Sequence, residues 1–373
     1  MNTLEILKKL VTIPSFVDRN VDESEIAKYI KRYFLNLKYP WETQVVEEKR
    51  QNVICGNTKN PKIVLLGHMD TVLPKQQAST PLVPKVIGDR LYGLGAVDMK
   101  SGIAIMMSLA AKITSDKIAY VFTCDEEYKF YGSLKLLEKY KWKPDLIINT
   151  EPTGVSITNG CRGITEFSFD VYGKSAHASR KYLGVNAIEK TILLTQMLER
   201  RLQKFDKEIK TSLNLSALEG GVLQTLKNNV PYISKLGMNV PDFARVNCEI
   251  RIGNSEITEQ KIKRLLNRLA REENVKIKNI SFKFFLGMFL TPQERLQKFE
   301  RAIKQKNSPV VYRDINTAGF YEIQMLREAW NCDAIVFGPG PIEAAHAASE
   351  YVNLSSIDKV ESILEGYLAN MLK

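Results

Sequence analysis

The sequence has only three histidines in 373 residues, and its five cysteines are scattered, odd in number and without a CxxC pair. This pattern argues against a disulfide framework and against a structural zinc–thiolate site. We expect the thiols to be buried and inert. They are Cys55, Cys124, Cys161, Cys248 and Cys332. A site that uses imidazole must therefore draw on His68, His177 or His346.

The chain also lacks an apolar run long enough to span a bilayer, and its first residues do not form a signal peptide. Leu4, Leu7 and Leu10 instead predict an amphipathic helix. No internal repeat or low-complexity segment is present. These absences predict a cytoplasmic protein without a membrane partner, and the length allows two domains.

The net charge of +11 is the one compositional bias. The basic residues are spread along the whole chain, and no basic arm or aromatic-interleaved basic motif is present. The composition therefore argues against nucleic-acid binding. A lysine-rich solvated surface explains the charge, and such a surface would also steer small acidic substrates toward the protein.

Apolar periodicity alternates between strand and helix in the first part of the chain, which predicts an α/β fold with a doubly wound, mostly parallel sheet. The predicted helices are 23–37, 101–113 and 132–140. The predicted strands are 51–55, 63–66, 117–123 and 145–149.

The pattern changes after Gly160 and changes back near Leu286. Strands at 163–172, 243–252 and 275–285, with helices at 186–205 and 256–273, predict a small inserted α+β domain. The stretch from about Phe205 to Val240 is expected to be irregular. We therefore predict a discontinuous α/β domain, 1–162 and 286–373, with an inserted domain at 163–285. A strand at 333–337 and a helix at 355–372 are expected to close the chain.

Two of the histidines, and several carboxylates between them, follow predicted strands within a few residues. In an open α/β sheet such positions meet at the carboxyl ends of the strands. Neutral imidazole with carboxylates is the ligand set of hydrolytic zinc sites. The candidates are His68, Asp98, Glu126, Glu127, Glu151 and His346.

Spacing suggests roles for some of these groups. Asp70 lies two residues after His68, so in an extended chain its carboxylate could accept the second imidazole N–H. Asp98 ends a glycine-containing turn, where a carboxylate could bridge two cations. Glu126 and Glu127 are adjacent and cannot both face one metal from a regular strand, so one is expected to bind metal and the other to act as a base.

The motifs resemble those of the dinuclear zinc amidohydrolase/exopeptidase family, in the family's order and over nearly the whole chain. The C-terminal motif is most similar to the branch of acetylornithine deacetylase and succinyl-diaminopimelate desuccinylase. The matching segments are GHMDTV at 67–72, LYGLGAVDMKSG at 91–102, DEE at 125–127, TEPT at 150–153, GKSAHAS at 173–179 and AHAASEYV at 345–352.

The resemblance implies two Zn²⁺ ions per subunit, for which Co²⁺ or Mn²⁺ could substitute. Asp98 would bridge the ions. His68 and Glu151 would complete the shell of one ion, and Glu127 and His346 that of the other.

The resemblance also implies that Glu126 is the general base and that Asp70 orients His68. His177, in the inserted domain, would stabilise the oxyanion in the site of a partner subunit, which implies a homodimer formed through that domain. The positions similar to the family's substrate-binding residues are Asn239, Arg251 and Gly340.

The function implied is hydrolysis of an amide bond in a small anionic N-acyl amino acid, by a water that two zinc ions activate. Carboxypeptidase or dipeptidase action is an alternative, as is release of lysine or ornithine from an acidic amino-group carrier protein. An inactive relative that serves as a binding module is the non-enzymatic alternative, although no ligand or base is missing. Two segments depart from the family pattern, 313–322 and the extra residues between 221 and 239, and they leave the substrate open.

Overall fold

The computed structural model describes residues 1–76, 81–228 and 230–372. The contacts divide the chain into two compact units: Met1–Gly160 with Leu290–Lys373, and Cys161–Phe289. The sequence places the same boundaries after residue 162 and after residue 285. The α/β fold class expected from the sequence is confirmed.

The chain alternates helices and strands, numbered here in chain order. The α-helices are α1 (Thr3–Val11), α2 (Ser24–Asn36), α3 (Ser101–Lys112), α4 (Tyr131–Lys139), α5 (Ala187–Gln203), α6 (Glu259–Glu272), α7 (Gln297–Gln305), α8 (Ile323–Trp330) and α9 (Leu354–Met371). The strands are β1 (Trp41–Glu47), β2 (Arg50–Gly56), β3 (Ile63–His68), β4 (Lys85–Ile87), β5 (Arg90–Tyr92), β6 (Ile118–Thr123), β7 (Leu146–Asn149), β8 (Gly160–Cys161), β9 (Gly163–Tyr172), β10 (Ser212–Lys227), β11 (Val230–Ser234), β12 (Phe243–Ile252), β13 (Lys276–Leu286), β14 (Phe289–Leu290), β15 (Asp333–Val336) and β16 (Tyr351–Asn353).

The sheet of the first unit has the strand order β1-β2-β6-β3-β7-β15. Strands β6, β3, β7 and β15 run parallel, whereas β1 and β2 are antiparallel additions at one edge. The central strands β3, β6 and β7 are buried along their whole length, as expected for parallel strands covered on both faces. Because His68 pairs with Thr123 in register, the residues that follow these strands emerge at one sheet edge.

Helix α3 forms part of the buried core of the first unit. Its residues from Ser101 to Ala110 are all buried, so no side of this stretch faces solvent and it runs through the interior of the unit. Helix α1 packs against it, and so does α9. The first turn of α3 lies directly after Asp98, which ties that carboxylate to the core.

The second unit is an antiparallel sheet of order β11-β10-β12-β9-β13, with α5 and α6 packed against it. Alternate residues of β9, such as Phe167, Phe169 and Val171, belong to the core of this unit. The expectation of an irregular stretch up to Val240 is wrong, because β10 and β11 occupy most of it. Two bulges in β10 interrupt its alternation of apolar and polar residues. A search for a period of two therefore does not detect this strand.

Two expectations from composition can be compared with the coordinates. All five cysteines are buried and free, as expected. Within the described ranges, no helix combines the length and the apolar character needed to cross a lipid bilayer.

Glycine at position 102 is predicted to be required for the packing of α3. A Cβ there would lie 2.3 Å from the backbone oxygen of Thr150, and neither backbone can move aside cheaply. Gly102→Ala should therefore lower the free energy of unfolding by ~1–3 kcal/mol. Urea-induced unfolding measures this change.

Gly366→Ala is the matched control within α9. Its nearest neighbour would be Cε of Lys306 at 3.3 Å, the end of a flexible side chain. Alanine in a helix interior should stabilise the protein by about 0.5–1 kcal/mol relative to glycine. Equal unfolding midpoints for the two variants would contradict the packing argument.

Candidate metal centre

The candidate site lies at the carboxyl edge of the parallel strands. His68 is the last residue of β3, and the turn that contains Glu126 and Glu127 follows β6. Glu151 comes two residues after β7, and His346 lies in the loop beyond β15. Asp98 enters from the segment between β5 and α3. The convergence expected from strand order is therefore present in the coordinates.

His68 belongs to the buried half of the site, the inner half, together with Asp98 and Glu151. Its Nε2 lies 3.2 Å from Oδ1 of Asp98 and 3.1 Å from Oε1 of Glu151, and the imidazole is only 1% exposed. Burial alone would lower the pKa of His68, but Glu151, Asp70 and Asp98 together raise it well above its usual value. One histidine therefore faces two buried carboxylates.

His346 makes the outer half. Its Nε2 lies 3.0 Å from Oε1 of Glu127 and 3.4 Å from Oδ2 of Asp98, and its side chain is 49% exposed. Asp98 thus points one oxygen at each histidine. A carboxylate in this position has the geometry to bridge two cations.

The donor set fits a pair of divalent cations. In each half, three ligand atoms lie within 4.8 Å of one another, and Asp98 belongs to both halves. Burial, followed by the charge of Asp98, raises the pKa of Glu151 to about 8. Bonds to Asp98 and Glu127 raise the pKa of His346 to about 10. Protons thus supply the positive charge that cations would supply when bound.

Asp70 contacts His68 through both its backbone carbonyl and its carboxylate. Nδ1 of His68 donates to the backbone carbonyl of Asp70 at 3.0 Å, whereas the carboxylate oxygen Oδ1 is 3.6 Å away. Because the carbonyl can only accept, Nδ1 carries the proton and Nε2 is left free to bind a metal.

The Asp70 carboxylate also holds the turn after β6. It accepts the backbone N–H of Glu126 at 3.1 Å and that of Glu127 at 2.9 Å. Within the described part of the chain, Glu126 forms no ion pair with either histidine, whereas Glu127 pairs with His346. Burial and the charges of Glu151 and Glu127 raise the pKa of Glu126, although His68 opposes them.

Glu350 is a support that sequence reasoning did not assign a role. It is buried, and its carboxylate accepts the backbone N–H groups of Gly95, Val97 and Asp98 at 2.8, 2.9 and 3.1 Å. Burial raises the pKa of Glu350 to about 7. The loop that delivers Asp98 is thereby fixed through its main chain. The only signal in the sequence was the position of Glu350 within the C-terminal motif.

Lys100 is a second unassigned group near this loop. Its side chain is almost completely buried, and Nζ donates to the carbonyl of Ile13 at 2.8 Å. Burial lowers the pKa of Lys100 to about 7, although the charge of Glu350 acts in the opposite direction. Lys100 thus ties the Asp98 segment to the N-terminal part of the unit.

The segment 313–322, which departs from the family pattern, contains a buried acid at its end. Glu322 immediately precedes α8, and its carboxylate accepts hydrogen bonds from the hydroxyls of Thr123 and Ser133. Burial raises its pKa. Thr123 ends β6, so Glu322 is anchored beside the turn that carries Glu126.

Three predicted site residues lie in the second unit. His177 and Asn239 form an isolated antiparallel bridge, and Nδ1 of His177 lies 2.8 Å from the hydroxyl of Ser179. Arg251 in β12 donates from Nε to Glu249 at 2.8 Å. The structure thus brings His177 and Asn239 together, and the roles of all three residues stay predictions.

Gly340, the fourth predicted substrate-binding residue, lies in the first unit at φ +74°. Its N–H donates to the hydroxyl of Ser356 at 3.0 Å, and its carbonyl accepts from the N–H of Gly154 at 2.8 Å. A Cβ would lie 2.6 Å from Cγ2 of Val97, so glycine is needed for close packing beside Asp98. A substrate contact at Gly340 also stays a prediction.

The chain is similar to known proteins along most of its length. The model of peptidase family M20/M25/M40 matches residues 64–370. Acetylornithine deacetylase of Buchnera aphidicola subsp. Acyrthosiphon pisum (strain Tuc7) is 25% identical over an alignment of 387 residues. The alignment covers 97% of this chain and 96% of that protein.

Two solved structures extend the likeness to the fold. Aminopeptidase PepT from Bacillus cereus has a TM-score of 0.77 at 18% identity, with 100% of this chain and 98% of that chain covered. A dinuclear metal-binding M20 peptidase of Bacillus subtilis has a TM-score of 0.69 at 14% identity, with 99% and 97% covered.

Metal binding is predicted to release protons. Near pH 7, His346 and Glu151 hold protons in the metal-free protein because their pKa values are raised to about 10 and about 8. Cations must displace these protons, so affinity should rise as the pH rises toward these values and fall as the pH is lowered. Calorimetric titration with Zn²⁺ in buffers of different ionisation enthalpy measures the number released.

His346→Ala provides the control for this measurement. It removes one of the proton-holding groups, so the number of protons released should fall by roughly one. Zinc affinity that is independent of pH, with no proton release, would show that these groups are not the ligands.

Proposed function

Because the chain belongs to peptidase family M20/M25/M40 and is a metal-dependent hydrolase, we propose that it cleaves the amide bond of a small anionic N-acyl amino acid. The reaction would be of the acetylornithine deacetylase or succinyl-diaminopimelate desuccinylase type. The likeness to acetylornithine deacetylases along nearly the full chain supports this substrate class. The single observation that carries the proposal is Asp98, whose two oxygens face different histidines.

The proposed ligands divide into two shells that share Asp98. His68 and Glu151 would hold one cation, and Glu127 and His346 the other. We propose zinc for both, with cobalt or manganese as substitutes, because imidazole and carboxylate donors suit these ions. When bound, such a pair lowers the pKa of water and polarises a substrate carbonyl.

Glu126 is the proposed general base. It lies next to Glu127 in the chain, and Asp70 fixes the backbone of both. Its raised pKa favours holding a proton taken from water and donating it to the departing amine. Burial thus suits Glu126 to both halves of the proton transfer.

The second unit is proposed to supply substrate recognition and a dimer contact. His177 would donate a hydrogen bond to the oxyanion in the site of a second copy. Arg251 would pair with the substrate carboxylate, for which a guanidinium fork is suited. Asn239, bridged to His177, would help to position the carbonyl.

A peptidase is the second candidate function. The solved structures with this fold include an aminopeptidase from Bacillus cereus and an M20 family metallo-carboxypeptidase from Sulfolobus solfataricus. A third candidate, release of lysine or ornithine from an acidic carrier protein, is favoured only by the net charge of +11.

A substrate panel separates these candidates. We expect the zinc-loaded protein to turn over N-acetylornithine or N-succinyl-diaminopimelate faster than any dipeptide or tripeptide, and cobalt and manganese forms should keep the same order. A preference for peptides would favour the second candidate. A steep fall of turnover with salt on a carrier-bound substrate would favour the third, since exposed charges are screened beyond ~10 Å at ~0.1 M salt.

Glu126→Ala is expected to separate catalysis from metal binding. Loss of a general base should lower kcat by a factor of ~10²–10⁴. Both cations should remain bound, because Glu126 belongs to neither cluster of three donors. Steady-state kinetics and metal analysis of the same preparation measure the two effects.

Glu138→Ala is the matched control, since Glu138 is exposed on α4 and pairs only with Lys135 in the described residues. It should leave both kcat and metal content unchanged. Full activity of Glu126→Ala would remove Glu126 from the mechanism.

A further inference from the structure

The turn that follows β6 is held from two directions. On one side, the Asp70 carboxylate accepts the backbone N–H groups of Glu126 and Glu127. On the other side, Asp125 connects the turn to a buried ionic cluster. Asp125 is itself 2% exposed and has φ +68°, a conformation that residues other than glycine adopt at a cost.

The ionic cluster consists of Glu23, Arg50 and Asp125. Arg50 donates from Nε and Nη2 to the two oxygens of Glu23 at 2.8 and 2.7 Å, and Nη2 also donates to Oδ1 of Asp125 at 2.6 Å. Glu23 accepts the backbone N–H of Asp125 at 3.1 Å. Arg50, the first residue of β2, thus links Glu23, which precedes α2, to the turn that follows β6.

The remaining polar groups of Asp125 accept hydrogen bonds from other residues of the same turn. Its Oδ2 accepts the N–H of Tyr131 at 3.2 Å, and its carbonyl accepts the N–H groups of Lys129 and Phe130 at 3.2 and 2.7 Å. Asp125 is therefore the point at which the turn is anchored. The residue after it is Glu126, so a shift of Asp125 must move both glutamates.

We propose that Arg50 is a positioning residue that, through Glu23 and Asp125, sets the location of Glu126 and Glu127 relative to the two histidines. This inference rests on the proposed metal-dependent hydrolysis and goes beyond it. Arg50 contacts neither His68 nor His346 among the described residues, so its influence passes through the turn. Since only Glu127 of the proposed ligands lies on this turn, the His346 half should depend on Arg50 more than the His68 half.

The burial of the cluster explains why arginine is needed. Glu23 is fully buried and Arg50 is 7% exposed, so water cannot replace a lost hydrogen bond. A lysine at position 50 keeps the charge but presents a single point donor in place of the planar fork. It can satisfy Glu23 or Asp125 well, but not both in the present geometry.

Arg50→Lys is the test, with Co²⁺ alone as the probe. Calorimetry and visible absorption follow the binding of two cations, and Glu127→Ala and Glu151→Ala assign the two steps. In Arg50→Lys, the step that depends on Glu127 should weaken by roughly tenfold to a hundredfold, as for other residues that orient ligands. The step that depends on Glu151 should stay within about twofold.

Glu361→Gln is the matched control. Glu361 is a buried carboxylate in the same unit that accepts from Thr3, Ser108 and Lys112, none of which belongs to the metal cluster. Its loss should lower thermal stability without changing either cobalt step. If Arg50→Lys does not fold, Glu23→Gln, which keeps the volume and one acceptor oxygen for Arg50, is measured in its place.

Each outcome bears on the inference. Selective weakening of the Glu127-dependent step supports it. Unchanged binding in Arg50→Lys, or equal weakening of both steps as for a general loss of stability, overturns it and leaves the proposed function intact. A wild-type protein that binds no pair of cations would overturn the proposed function, and with it the role of Arg50.

Discussion

The shared carboxylate of Asp98 is the contact on which the site depends. Its two oxygens lie 3.2 and 3.4 Å from imidazoles that come from opposite ends of the first unit's sequence. Three carboxylates and two histidines converge there, mostly out of water, and such a concentration of negative charge is costly without compensating cations. The concentration of charge and the types of donor atom therefore both indicate a site for two divalent cations.

The supports of this site act mainly through backbone groups. Glu350 accepts three consecutive or near-consecutive N–H groups around Asp98, and Asp70 accepts those of Glu126 and Glu127. A carboxylate that accepts N–H groups fixes a loop without competing for the ligand atoms. The positions of the ligands are thus set by the main chain, and their side-chain atoms remain available for metal.

The sequence was informative where burial dictates pattern. The apolar runs that became β3, β6 and β7 predict parallel strands, and parallel strands predict that the residues after them meet. It was uninformative where a partner is distant, as for Glu350, which lies more than 250 residues from the loop it holds. Strand β10 is not apparent from the sequence because bulges disturb its period.

The division of the chain places the proposed metal ligands and most of the proposed substrate-binding residues in different units. All proposed metal ligands and Glu126 lie in the first unit, whereas His177, Asn239 and Arg251 lie in the second. Under that proposal, substitutions in the second unit would alter substrate recognition without changing the metal donor set. The solved peptidases that share this fold are only 14% and 18% identical to this chain. The metal cluster thus supports the type of reaction proposed, whereas the substrate is to be sought in both units, because Gly340 and residues 313–322 lie in the first.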